Sequence, residues 1–269
     1  MSATAAAPRV SWKSLAIPTE HGGWGFTTEP VLLGLLVAPS ASGAWLGVAA
    51  FGAFLARQPL KLALGDVRRG RTYPRTAQAA WLSAGFLLVA LAALAASWAT
   101  ARGPFWMALA AALPLGLYHL VEDARGRSRA LAPELAGAVA MASLASAQAM
   151  AAGWELKPAL GLWAVLALRS LGSIPWVRLQ VLRTRVRPEA LAPITRGSRL
   201  SGGLVLVGCA AGTASGLVPA LALPVLAYLA FRALADREFR GPARVLGFRE
   251  MGLGLAAVTS AALGFWLGI

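Results

Sequence analysis

Residues 78–99 read QAAWLSAGFLLVALAALAASWA, with no Asp, Glu, Lys or Arg among them. Wound as an α-helix at 1.5 Å per residue, this stretch is roughly 33 Å long, enough to cross the hydrocarbon core of a bilayer. Eight further apolar runs lie near residues 26–38, 43–64, 104–121, 131–152, 157–178, 198–217, 218–234 and 249–268. The first is short unless its helix begins earlier, inside Pro18-Thr19-Glu20-His21-Gly22-Gly23-Trp24. The expectation is an all-α, polytopic transmembrane helical bundle of about nine spans.

Composition agrees. Charged residues make up 13% of the chain and hydrophobic residues 58%, and mean hydropathy is +0.64. A soluble domain carries about 25% charge. No polar stretch is long enough for a soluble domain, so residues 18–269 read as a single transmembrane helical domain preceded by an N-terminal tail, residues 1–17. Met1–Pro8 lacks the basic region and cleavage site of a signal peptide. Cys209 is the only cysteine, which leaves neither an internal disulfide nor a thiolate metal cluster.

The net charge of +14 has an orientational explanation, so no nucleic-acid partner is expected. Counted over the amino-terminal segment and alternate connections, 22 of the 25 Lys and Arg fall on one face. Cationic segments resist translocation and are held by anionic lipid. The expected location is the bacterial cytoplasmic (inner) membrane, with the N-terminus cytoplasmic and the C-terminus extracytoplasmic.

The connection after the second run is Arg57-Gln58-Pro59-Leu60-Lys61-Leu62-Ala63-Leu64-Gly65-Asp66-Val67-Arg68-Arg69-Gly70-Arg71-Thr72-Tyr73-Pro74-Arg75. On a helix, Gln58, Leu62 and Asp66 share one face. The plain reading is a basic anchor with Asp66 paired to Arg69 or engaged at the helix end. Asp66, Arg71, Thr72 and Arg75 also resemble part of the signature of the UbiA prenyltransferase superfamily, with Arg69 departing from it. That family uses nine spans and functional loops after helices two and six. The resemblance implies a UbiA-like arrangement in which carboxylates hold Mg2+ against a prenyl diphosphate. Here the family's upstream acidic positions are Gln58 and Leu62, and Arg169–Arg178 contains no acid. One carboxylate cannot build the usual magnesium cluster, which wants several oxygen ligands. No metal site is therefore assigned, and Mg2+ is a doubtful cofactor.

Pro18-Thr19-Glu20-His21-Gly22-Gly23-Trp24-Gly25, followed by Glu29-Pro30, resembles the opening of the YwiC-like family of bacterial membrane proteins. Arg57–Lys61 and Arg169-Ser170-Leu171-Gly172-Ser173-Ile174 are similar to that family too. The family implies a multi-span membrane protein and no defined activity.

Glu20 and His21 stand at the mouth of the first run, where buried ionisable groups are costly without a task or partner. His21, Gly25 and Glu29 follow one another by single helical turns, so one groove could hold both polar groups. The plain reading is a polar knot, with Glu20 or Glu29 paired to Arg57 or Arg169. His119, Glu122 and Asp123 read as a salt-bridged helix end beside Arg125 and Arg127 rather than as metal ligands. Glu250 reads as the partner of Arg249, and Asp236-Arg237-Glu238 as a solvated loop.

The leading expectation is a membrane protein that binds, and could process, an isoprenoid or other phosphate-bearing lipid. Glu20, His21 and Asp66 are the candidate catalytic residues. Trp24, Glu29, Arg57, Gln58, Lys61, Arg71, Arg75, Arg169 and Arg178 are the candidate substrate-binding residues. A UbiA-like prenyl or lipid-phosphate transferase is the enzyme such a site would suit. The alternatives are a proton-coupled or small-molecule transporter working through Glu20, His21 and Glu29, and a non-catalytic accessory subunit.

Overall fold

A computed structural model describes Leu15 and residues 21–269. Glu20 lies outside the described residues, and of His21 only its place in the backbone is described. The described helices are α1 (His21–Val37), α2 (Ala41–Arg68), α3 (Pro74–Thr100), α4 (Trp106–Ala124), α5 (Leu131–Ala151), α6 (Leu156–Arg183), α7 (Pro188–Ala214), α8 (Leu223–Leu234) and α9 (Ala243–Leu267). A 3-10 turn, Ala220–Ala222, precedes α8. Each helix contains one of the apolar runs, and α1 begins at His21, ahead of its run. Three helices, Pro74–Thr100, Leu156–Arg183 and Ala243–Leu267, are long and apolar enough to cross a membrane. The protein is thus an all-α chain with the character of a membrane protein.

Helix ends carry local signals. Ser40 caps α2 by accepting the Gly43 N–H at 3.0 Å, and Pro74 and Pro188 open α3 and α7 where no amide hydrogen is needed. The middle of the bundle is α5, which packs against α1, α2, α4 and α6. Its run Ala142–Ala151 is buried throughout and made mostly of Ala and Ser, so neighbouring backbones can approach closely. At the tightest point a Cβ on Gly34 of α1 would lie 2.2 Å from Gln148 Oε1. Only glycine leaves room there. The Gln148 amide donates to the Gly43 carbonyl at 2.8 Å, tying α5 to α2.

The two long hairpins differ in how they join this centre. In one, α2 packs along α3, stitched by Ser42 and Ser97 with hydroxyls 2.8 Å apart. In the other, α4 packs on α5 through a stripe that includes Phe105, Ala108 and Ala112. Although consecutive, α3 and α4 do not pack along their lengths. The half of α5 nearest Leu131 is less buried than the half ending at Ala151, and His119 of α4 and Arg178 of α6 reach it at Pro133 and Glu134.

Candidate functional site

Two polar assemblies sit toward the basic end of the bundle, where α1, α3, α5, α7 and α9 begin and α2, α4, α6 and α8 end. The outer one joins the ends of α2 and α4. Arg57 Nε donates to Asp123 Oδ2 at 3.1 Å and Lys61 Nζ to Asp123 Oδ1 at 2.7 Å. Arg68 donates to the Ala124 carbonyl at 3.2 Å. Burial pushes the Asp123 carboxyl up, but hydrogen bonds from Arg57, Lys61 and Ser128 outweigh it and hold the group well below the usual carboxylate range. Glu122 turns the other way, 2.8 Å from both Arg125 and Arg127, and Arg125 is the main reason its carboxyl titrates low. His119 Nδ1 lies 2.8 Å from the Pro133 carbonyl.

Beyond the apolar run of α2, Asp66 clamps the turn into α3. Arg75 donates to both of its carboxylate oxygens, at 3.2 and 3.3 Å, and Thr76 Oγ1 donates to Oδ2 at 2.8 Å. The partner is therefore Arg75 rather than Arg69, whose backbone N–H instead meets the Asp66 carbonyl at 3.1 Å. The Arg75 and Thr76 hydrogen bonds hold the Asp66 carboxyl below its ordinary value. Gln58 is half-buried and Arg71 exposed. Trp24 packs edge-on against Phe54 with ring centroids 5.1 Å apart. Arg178 reaches the Arg129 carbonyl and lies 3.8 Å from Glu134. The end of α4 thus touches the end of α2 at Ala124, and the α4–α5 connection touches α6 through Arg129.

The inner assembly is a buried quartet drawn from four helices. Glu29 of α1 lies 2.8 Å from Arg169 Nη2 of α6, and that same nitrogen donates to the Glu250 carbonyl of α9 at 3.0 Å. Arg232 of α8 clasps the Glu250 carboxylate through both terminal nitrogens, with Nη2 at 2.9 Å from Oε2. Ser173 Oγ donates to Glu250 and accepts from Arg232 Nη2 at 3.0 Å. Trp176 stacks beneath the Arg232 guanidinium, 4.0 Å from its ring centroid. Gly254 makes the space: a Cβ there would be 1.9 Å from Glu29 Oε1 and 2.8 Å from Arg169 Nη2.

Several residues depart from the sequence reading. Glu250 pairs with Arg232, while Arg249 reaches the Tyr228 hydroxyl. Asp236 is no plain solvated loop residue, since it receives Arg183 and lies 3.6 Å from Arg199. Arg232 and Ser173 escaped notice as site residues. The available signal was an arginine lying inside the apolar stretch Leu223–Leu234 rather than after it.

Residues 17–149 match the family model of the YwiC-like protein. Over that stretch, just under half of the chain, the protein is similar to the YwiC-like family. No curated protein and no solved structure matched. The YwiC-like stretch supplies α1 to α4 and most of α5, and with them Glu29, Arg57, Lys61, Asp66 and Asp123. The remaining three members of the quartet, Arg169, Arg232 and Glu250, lie beyond it.

A magnesium cluster of the UbiA kind does not fit these residues. Asp66 is committed to Arg75 and Thr76, and among the described residues no three His, Cys, Asp or Glu side chains converge on a metal position.

Proposed function

We propose that this is a multi-pass protein of the bacterial cytoplasmic membrane, its basic end cytoplasmic, that binds a phosphate-bearing lipid at the ends of α2, α4 and α6. One observation carries the reading. Arg57, Lys61 and Arg178 keep 29%, 49% and 32% of their side chains exposed, the first two at Asp123 and the third at Arg129 and Glu134, on either side of the α4–α5 connection. Arginine forks match phosphate oxygens and lysine adds a mobile point charge, so the trio can hold a diphosphate without a metal. Asp123 keeps Arg57 and Lys61 extended toward α4 until a more highly charged ligand competes for them. Because α3 and α4 do not pack along their lengths, an isoprenoid tail would have a path between them toward α2 and α5. In this reading the bundle is a degenerate, nine-span UbiA-like fold, with Asp66 and Arg75 holding the turn rather than the substrate.

Native mass spectrometry of the detergent-purified chain with farnesyl diphosphate, with and without magnesium, tests the reading. The wild type should take up one ligand without magnesium. Lys61→Gln with Arg178→Gln should weaken binding by at least about tenfold, a change of roughly 1.4 kcal/mol. Inorganic pyrophosphate alone should bind more weakly, because it lacks the tail. Binding that is unmoved by both substitutions, or absent altogether, would overturn the assignment.

A further inference from the structure

The quartet carries two positive and two negative charges, but compensates them unevenly. The Glu250 carboxylate receives both terminal nitrogens of Arg232 and the Ser173 hydroxyl. Glu29 is 7% exposed, and among the described residues its Oε1 makes no hydrogen bond despite lying 2.8 Å from Arg169 Nη2. Arg169, 4% exposed, likewise has an Nε without an acceptor. Its one directed hydrogen bond goes to the Glu250 main chain, and the Phe26 ring covers it at 5.3 Å. A buried carboxylate facing a cation it does not hydrogen-bond is a poorly compensated charge, and uptake of a proton relieves it.

The surroundings leave Glu29 a way out. From α6 it faces Arg169 and from α9 it faces Glu250. Of the other helices packed on α1, α2 turns Arg57 and Lys61 to Asp123, and α5 has its Glu134 beside Arg178. One turn nearer the start of α1, a Cβ on Gly25 would sit 3.5 Å from Glu29 Oε1. The carboxyl therefore points back along α1 toward the basic end, and among the described residues, the helix's own backbone apart, Glu29 Oε1 is the one atom that a Cβ on Gly25 would meet within 4 Å.

We infer that Glu29 is a proton-binding site, loaded from the basic end past Gly25, and that its protonation hands Arg169 over to Glu250. A proton delivered by water at the basic end forms an O–H bond at Glu29 Oε1, the Glu29–Arg169 ion pair is lost, and no other covalent bond of the protein changes. Arg169 already touches the Glu250 main chain, so the exchange needs only a side-chain rotation. α1 is then held less tightly to α6, while α6 and α9 are drawn together. A proton-driven adjustment of this kind suits a protein that moves a solute or resets a bound lipid, and it stands independently of the lipid reading.

Infrared spectroscopy of the purified protein between about pH 5 and 8, where few other side chains titrate, tests the inference. The wild type should show one buried protonated-carboxyl band that comes and goes in that range. Glu29→Gln, which preserves shape, should abolish it, whereas Glu250→Gln should leave a band. Gly254→Ala crowds the Glu29 carboxyl without removing it and should displace the titration. Gly25→Leu should slow deuterium exchange of the band severalfold. A wild type without the band, a band that survives Glu29→Gln, or a titration unmoved by Gly254→Ala would overturn the site. Exchange unaffected by Gly25→Leu would overturn the route.

Discussion

Changing Arg232 to Met strands a carboxylate inside the bundle. Arg232 is 2% exposed and supplies two of the three donors to the Glu250 carboxylate. Removing one member of a buried ion pair costs about 3–5 kcal/mol, because the remaining charge keeps its desolvation penalty and loses its partner. The Trp176 contact at 4.0 Å adds to the loss, so about 4 kcal/mol is expected. Adding Glu250→Gln removes the stranded charge and retains its outline. The double variant should therefore be more stable than Arg232→Met alone, with a coupling of about 2 kcal/mol. Equilibrium unfolding in mixed micelles, titrated with a denaturing detergent and followed by tryptophan fluorescence, measures each corner of the cycle. A cost below about 1 kcal/mol for Arg232→Met, or strictly additive effects, would refute the argument that the quartet is a mutually dependent unit.

Gly34→Ala places a methyl group 2.2 Å from Gln148 Oε1 in a fully packed seam and should cost about 1–3 kcal/mol in the same assay. Asp66 and Asp123 both titrate below the ordinary carboxylate value in the folded chain. Their stabilising contribution is complete above about pH 4 and is lost as pH falls through their folded values. The unfolding midpoint should drop on that acid limb, and less steeply in Asp123→Asn. Trp176→Phe removes an indole N–H that donates to the Arg237 carbonyl at 3.1 Å and a better cation–π surface. It should cost about 1–2 kcal/mol without altering helix content by circular dichroism.

The helices were legible because apolar runs and charged connections alternate so cleanly, and because Pro74 and Pro188 mark their starts. The pairing of Glu29 with Arg169 was foreseeable as a polar knot, since few acids lie inside apolar runs and each needs a cation. The pairing of Glu250 was not. Arg249 is its neighbour in sequence, but successive helical residues point about 100° apart, and α9 turns Glu250 inward while Arg249 points at Tyr228. Nothing in the chain from Arg232 to Glu250 reveals how α8 and α9 are rotated about their axes. The same geometry disperses His119, Glu122 and Asp123. Near in sequence, they end at the Pro133 carbonyl, at Arg125 with Arg127, and at Arg57 with Lys61.

The quartet also sets a constraint on biosynthesis. Of the three helices among the described residues that are long and apolar enough to cross a membrane, α3 is the most hydrophobic and the least buried, so it can partition into lipid on its own merits. By contrast, α6 carries Arg169 near its middle, a cost of about 2.5–3.5 kcal/mol for an isolated span, while α8 carries Arg232 in its last turn, where the side chain can reach toward the helix end. Glu29 has been synthesised by the time α6 emerges and can receive Arg169 at once. Arg232 has no such host, because Glu250 is translated 18 residues later. A nascent chain halted between α8 and α9 therefore holds Arg232 against Ser173 and Trp176 but without its carboxylate partner. Such an intermediate is a natural target for insertion chaperones or membrane proteases, and the arrival of α9 ends its exposure to them.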